Sequence, residues 1–212
     1  MGNENGDRPI LPPLRLAQLQ RKADDFLKQY NPSAIIPVPI EEIADRQLDL
    51  RILPIPGLEK VHGLHAYLSH NLKNIVIDQH TYDNNENRTR FSIAHELGHV
   101  VLHDEFYRAY PVHEPVDVLD FQQNISAQDR KFMENQAHTF AAHILMPPEL
   151  FCARVNDLQL GAGSLEDLTV VDVGAIVAQV AEEFCVSSAS VIKHFRLHVP
   201  ELYALMIDVI ET

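Results

Sequence analysis

Two histidines and a glutamate near the middle of the chain have the spacing of a metal-binding motif. The segment from Phe91 to His103 reads FSIAHELGHVVLH and contains the pattern HExxH. On a helix, positions four apart lie one above the other, so His95 and His99 can offer imidazoles to one ion while Glu96 lies beside it. That is the geometry of a zinc-activated hydrolase. The flanks are apolar, and burying such polar groups costs several kcal/mol unless they are paired or metallated, so we prefer a metal site to a chance motif used only for packing.

The third ligand that such a site needs does not come from the same helix. Catalytic zinc has three protein ligands and one open position for water. His103 lies eight residues beyond His95, a helical rise of about 12 Å, so these two cannot share one ion. The metzincin pattern HExxHxxGxxH also fails, because Leu102 and Glu105 stand where its glycine and its third histidine belong.

A later helix is therefore expected to supply the third ligand. A capping-box-like start and a terminating pair of prolines predict a helix over residues 126–145. Glu134 and His138 are four residues apart on this helix and face the same way. The small Ala137 would allow a close approach to the HExxH helix, against Gly98.

Composition limits the class of protein. The chain has 212 residues, 46% of them hydrophobic and 22% charged, which is typical of a globular protein with one sizeable core. A formal charge of −13 argues against direct nucleic-acid binding, which depends on Lys and Arg. Cys152 and Cys185 form no CxxC pair, which argues against a thiolate zinc site. The first residues do not resemble a signal peptide, and the apolar run 170–181 is too short to span a bilayer, so we expect a soluble cytoplasmic protein.

The periodicity of the apolar residues predicts an α+β fold. Helical patterns at 16–30 and 40–46 precede three short segments with strand character, and these predict a small, largely antiparallel sheet packed on helices. The three predicted strands are 48–53, 62–68 and 74–78.

Two stretches resemble the signatures of one peptidase family. Residues 90–99 read RFSIAHELGH and are followed by Leu102 and His103, which resembles the RFTLAHELGHxxLH signature of the ImmA/IrrE family of metallopeptidases. Residues 134–147 read ENQAHTFAAHILMP and resemble that family's second signature, ExxANxFAAxLLMP. The resemblance covers roughly residues 15–150, and two motifs in the right order are more specific than either alone.

The resemblance implies a ligand set and a catalytic base. It implies His95, His99 and Glu134 as ligands of one Zn²⁺ and Glu96 as general base. His138 departs from the family, which has asparagine there. It could hydrogen-bond a ligand, replace Glu134 at the metal, or assist the oxyanion. Tyr82 is a further oxyanion candidate, as is Tyr107.

The resemblance and the composition of the chain together predict a domain organisation. We expect a zincin-like peptidase domain built from the small sheet, the HExxH helix and the second ligand helix, followed by a helical, helix-turn-helix-like segment packed on it. The glycine- and serine-rich stretch 161–164 marks the boundary between them. The predicted division is a flexible leader over 1–13, the peptidase domain over 14–160 and the C-terminal segment over 164–212.

The implied function is a regulatory zinc endopeptidase. Members of the resembled family cut helix-turn-helix repressors, so the expected partner is a protein substrate, such as a DNA-binding repressor. The enzyme would hydrolyse the peptide bond with a water molecule activated by zinc and Glu96. Chain order suggests that the strand Ile75–Asp78 borders the cleft and pairs with an extended substrate.

Two other classes of function remain open. A metal-bound but non-proteolytic regulator, antitoxin-like or a sensor, would carry the same ligands. The stretch 181–195 resembles a helix-turn-helix, which would suit a transcriptional regulator. From Ser164 to the end, however, eight Asp and Glu stand against only Lys193 and Arg196, so attraction to phosphates is weak.

Overall fold

We analysed a computed structural model that describes residues 13–69, 71–109, 114–118 and 125–210. The predicted leader lies outside the described residues, apart from Pro13. Helices predominate and surround one small sheet, so the α+β prediction is confirmed. The strands are β1 (Arg51–Ile55), β2 (Ala66–Leu68) and β3 (Asn74–Asp78). The α-helices include α1 (Leu16–Tyr30), α2 (Ile40–Glu42), α3 (Leu58–His62), α4 (Gln79–Asn84), α5 (Glu86–Leu102), α6 (Asp104–Ala109), α7 (Ala127–Leu145), α8 (Pro148–Ala162), α9 (Val170–Phe184), α10 (Ser188–His198) and α11 (Pro200–Ile210). A π-helical segment, Ile43–Gln47, continues α2.

The sheet is mixed, with the strand order β1-β3-β2. Strand β3 pairs in parallel with β1 and antiparallel with β2. The expectation of a largely antiparallel sheet is therefore wrong for the β1/β3 pair. The chain leaves β1, passes through α3 and β2, and returns to β3 in the original direction, which is the longer crossover that parallel strands need.

Two predicted strands have different bounds in the structure. The first begins only at Arg51, because Asp49 has a left-handed backbone with φ 55°. It continues through Pro54, since β1 is an edge strand where a missing N–H is tolerated. The second predicted strand is shorter in the structure: His62 ends helix α3, residues 63–65 have no regular structure, and the strand is confined to Ala66–Leu68.

The long helices α5 and α7 form as the sequence predicts. The side chain of Asn85 accepts a hydrogen bond from the Arg88 N–H and starts α5, and that of Ser126 accepts one from the Asp129 N–H and starts α7. The two helices touch where Gly98 faces Ala137, and a β-carbon added to Gly98 would lie 3.0 Å from the Ala137 Cα. This contact holds the two predicted ligand segments side by side.

The C-terminal helices share the core of the rest of the chain. Buried apolar side chains form one continuous cluster from Leu19 to Leu202. Arg90, buried on α5, donates to the backbone carbonyls of Val38 and Cys185 and so joins the α9/α10 turn to the N-terminal part. Helix α8 extends to Ala162, so half of the glycine- and serine-rich stretch 161–164 is helical. The domain boundary at 161–164 stays a prediction.

Among the described residues, no single helix is long and apolar enough to cross a bilayer, whereas α9 and α10, which meet at 109°, pass as a bent pair by length and composition alone.

We expect Gly98→Ala to destabilise the protein. The added methyl group would press on the backbone of Ala137, which cannot move without parting the helices, and such overpacking costs about 1–3 kcal/mol. Urea unfolding would measure the loss. Gly174→Ala on α9 is the control, because a β-carbon there meets nothing within 4 Å and alanine favours a helix by up to about 1 kcal/mol. Equal stability of the two variants would contradict the close contact.

We expect His194 to make the fold less stable in acid. Its Nε2 lies 3.0 Å from the Met146 carbonyl oxygen, and burial lowers its pKa to about 4. The unfolded chain therefore binds a proton more readily, so this contribution is full above pH 6.5 and is lost as the pH falls towards 4, by about 3 kcal/mol. Urea unfolding of the chelator-treated protein at several pH values would measure it. The slope in this window should be smaller in His194→Gln, and an unchanged slope would contradict the prediction.

Candidate metal centre

Three side chains from α5 and α7 bring their ligand atoms together. His95 Nε2 lies 3.1 Å from Glu134 Oε2, and His99 Nε2 lies 3.1 Å from His95 Nε2 and 3.8 Å from Glu134 Oε1. In the described part of the chain, these residues form a group whose ligand atoms all lie within 4.8 Å of one another. Tetrahedral zinc with bonds of 2.0–2.1 Å needs ligand atoms about 3.3 Å apart. Two imidazoles and one carboxylate at these distances fit zinc.

The site is closed on one side and open on the other. His99 is buried, with 2% of its side chain exposed, whereas 49% of the Glu134 side chain is exposed. Burial holds the pKa of His99 well below its usual range, and the neighbouring His95 and His103 add to this effect. His99 is thus kept neutral, which is the state in which imidazole binds a metal.

The pKa of His95, unlike that of His99, is raised, because negative charges surround it. Burial lowers the pKa of His95, but the hydrogen bond with Glu134 and the charges of Glu96 and Glu134 together outweigh burial and raise it. The surroundings of His95 thus favour a positive charge at its Nε2. A bound cation meets the same preference.

Glu96 lies beside the ligands but is not one of them. Its side chain is buried, and burial, with the charge of Glu134 added, raises its pKa to about 7 despite the opposing effects of His95 and of the Leu68 backbone. A carboxyl group with a pKa near neutrality can both take up and release a proton at physiological pH. This is the property that a general base which later acts as an acid requires.

These groups lie in a cleft of about 1040 Å³. Its lining includes side chains of α5 and α7, the chain from Gly63 to Tyr67 that leads into β2, and the start of α10. Ser187, Ser190 and Lys193 belong to this last wall. The part played by the C-terminal segment in the cleft had no signal in the sequence, because it depends on how that segment packs.

His138 lines the cleft beside the group without joining it. Its ring centroid lies 4.8 Å from that of Phe91, and among the described residues it makes no hydrogen bond to His95 or Glu134. Burial, with the charges of His95 and Lys193, lowers its pKa. The structure therefore groups Glu134, and not His138, with His95 and His99, while His138 lines the cleft beside them.

The two tyrosines considered from the sequence are placed differently. Tyr82 lies on α4, is 41% exposed and does not line the cleft. Tyr107 on α6 lines it, with a ring centroid 5.1 Å from that of His99. Burial, reinforced by the charges of Glu96 and Glu134, raises the pKa of Tyr107 well above its usual range, so its hydroxyl stays protonated.

Sequence reasoning excluded His103 as a ligand but did not predict its pairing with a second residue behind the candidate ligands. His103 and Gln136 are both buried and hydrogen-bonded to each other. The spacing of His95, His99 and His103 at intervals of four residues was a signal that His103 lies on the ligand side of α5. Nothing in the sequence indicated Gln136.

An HExxH helix and a glutamate from a second helix, beside a small mixed sheet, define a zincin-like metallopeptidase fold. Comparison with protein families agrees, since the Peptidase_M78 family, described as the IrrE N-terminal-like domain, matches residues 45–195. The chain belongs to this family, which confirms the ImmA/IrrE resemblance and supports a metallopeptidase kind of activity. Comparison with curated proteins gives no match.

We expect Glu134→Gln to weaken zinc binding and His138→Asn to leave it nearly unchanged. Loss of a partner behind a ligand costs about 10–100-fold in metal affinity, and loss of the ligand itself should cost more. Competition with a chromophoric chelator would measure the Kd for zinc. If His138→Asn raised the Kd as much as Glu134→Gln, His138 would be a ligand and the assignment of Glu134 would be wrong.

Proposed function

We propose that the protein is a zinc-dependent endopeptidase, with His95, His99 and Glu134 as the ligands and Glu96 as the general base. The observation that carries this proposal is the convergence of three ligand atoms beside a buried glutamate in an open cleft. Membership of the peptidase family supports it.

Glu96 has the position and the proton affinity for both halves of peptide hydrolysis. Zinc, when bound, lowers the pKa of a water molecule towards 7 and polarises the carbonyl group under attack. Glu96 would take the proton from the attacking water and then pass it to the nitrogen of the leaving amine. Because burial raises the pKa of its carboxyl group, Glu96 is suited to hold that proton between the two steps and to give it up in the second.

His138 is our candidate for holding the substrate carbonyl oxygen. Its lowered pKa keeps the ring neutral, and a neutral imidazole still has one N–H to donate. Tyr107 is a second donor with a hydroxyl that stays protonated. Tyr82 is not proposed for this role, since it does not line the cleft.

Strand β2 is the strand that an extended substrate would join. Chain order had suggested Ile75–Asp78, but this strand, β3, is wrong for the purpose because it is paired on both sides. Strand β2 is at an edge, and Ala66 and Tyr67 line the cleft. A peptide added to β2 would receive backbone hydrogen bonds there, as in β-augmentation.

The proposed substrate is a DNA-binding repressor of the helix-turn-helix type. The family resemblance suggests it, and a chain with a formal charge of −13 is suited to meet a basic partner. A cleft of about 1040 Å³ is slightly larger than the usual range for small-molecule pockets, which suits a peptide segment.

Direct DNA binding by the C-terminal helices has less support. The 109° bend between α9 and α10 is in the range of a helix-turn-helix. However, the start of α10, which would enter the major groove, lines the cleft through Ser187, Ser188 and Ser190. A transcriptional regulator is therefore not our proposal.

We expect Glu96→Gln to retain zinc and to lose cleavage by about 10²–10⁴-fold, the usual contribution of a general base. Zinc-loaded protein would be incubated with purified repressors encoded near its gene, and fragments followed by gel and mass spectrometry. Glu86→Gln, an exposed position on the same helix, is the control and should cleave normally.

The outcomes separate the alternatives. Cleavage by Glu96→Gln at the wild-type rate would overturn the enzyme assignment. Zinc binding without cleavage of any repressor, by wild type or variant, would favour a non-proteolytic regulator.

A further inference from the structure

A buried hydrogen-bond chain runs from His99 away from the cleft. His99 Nδ1 lies 3.0 Å from His103 Nδ1, and His103 Nε2 lies 2.9 Å from Gln136 Oε1. The exposed fractions of the three residues are 2%, 2% and 3%. Water therefore does not compete for these contacts, and each ring nitrogen depends on the partner that the fold gives it.

Only one arrangement of protons along this chain leaves His99 able to bind a metal. Each link has room for a single proton between its two atoms. If Gln136 Oε1 accepts from His103 Nε2, then His103 Nδ1 is an acceptor and receives the proton of His99 Nδ1. His99 Nε2 then carries a lone pair, and this is the atom that faces His95 and Glu134.

The reverse arrangement would block the site. If a donor stood in place of Gln136 Oε1, His103 would carry its proton on Nδ1 and would donate to His99 Nδ1. His99 would then carry its own proton on Nε2, where a metal has to bind. The carbonyl oxygen of Gln136 thus determines whether His99 Nε2 carries a lone pair or a proton.

We propose that His103 and Gln136 are positioning residues that hold His99 in the tautomer with Nε2 free for the metal. This rests on the proposed function in so far as His99 is a zinc ligand. Gln136 lies two residues beyond Glu134 on α7, so that helix would supply one ligand directly and orient another through His103.

Two substitutions at Gln136 distinguish this role from packing. Gln136→Met keeps the length of the side chain but removes the acceptor, and we expect the Kd for zinc to rise about 10–100-fold. Gln136→Glu keeps an oxygen in the same place, so its Kd should stay at the wild-type value or fall. If Gln136 served only to fill space, Gln136→Met should bind zinc with the wild-type Kd, because its side chain has a similar size. An unchanged Kd in Gln136→Met would overturn the proposal.

The tautomer itself can be read in the metal-free protein. Two-dimensional ¹H–¹⁵N spectra that connect the imidazole nitrogens to the ring protons should show His99 protonated at Nδ1 and His103 at Nε2. Protonation of His99 at Nε2 would overturn the proposal. The spectra need no zinc. If the wild-type protein failed to bind zinc, the proposed function would be refuted, but the spectra would still test the hydrogen-bond chain.

Discussion

The contact between Gly98 and Ala137 is the constraint on which the site depends. His99 and Glu134 come from different helices, and their ligand atoms lie 3.8 Å apart. This requires the helix axes to be closer than two ordinary side chains would permit. A glycine on one helix and an alanine on the other remove that bulk at the level of the ligands. The candidate metal centre is thus a consequence of helix packing as much as of the HExxH pattern.

Burial of polar side chains between these helices gives the site its chemistry. An uncompensated polar group in such a place costs several kcal/mol. His99 and His103 meet this cost by hydrogen-bonding to each other and to Gln136, whereas Glu96 is left with a raised pKa. The fold therefore pairs the histidines that must stay fixed and raises the pKa of the carboxyl group proposed to exchange a proton.

The parts of this site that follow from local pattern were predictable, and those that depend on long-range packing were not. HExxH placed His95 and His99 on one face, because helical periodicity is fixed by the backbone. Small residues on α7 predicted its approach to α5. The parallel β1/β3 pairing depends on the path of the crossover between the strands, and the sequence of a single strand does not indicate that path. Gln136 had no signal for the same reason, since its importance comes from a neighbour 33 positions away.

The C-terminal helices have a role in the structure that their sequence does not suggest, because α10 lines the cleft. As an isolated pair they resemble a helix-turn-helix, yet Arg90 and Asn87 of α5 hydrogen-bond the carbonyls of the turn between them. Helix α10 is thereby held over the cleft, and Lys193 brings a positive charge close enough to lower the pKa of His138. A surface that could read DNA in another protein is used here to complete the wall of the proposed peptidase site. Any segment cleaved in it would have to fit against α10 as well as β2.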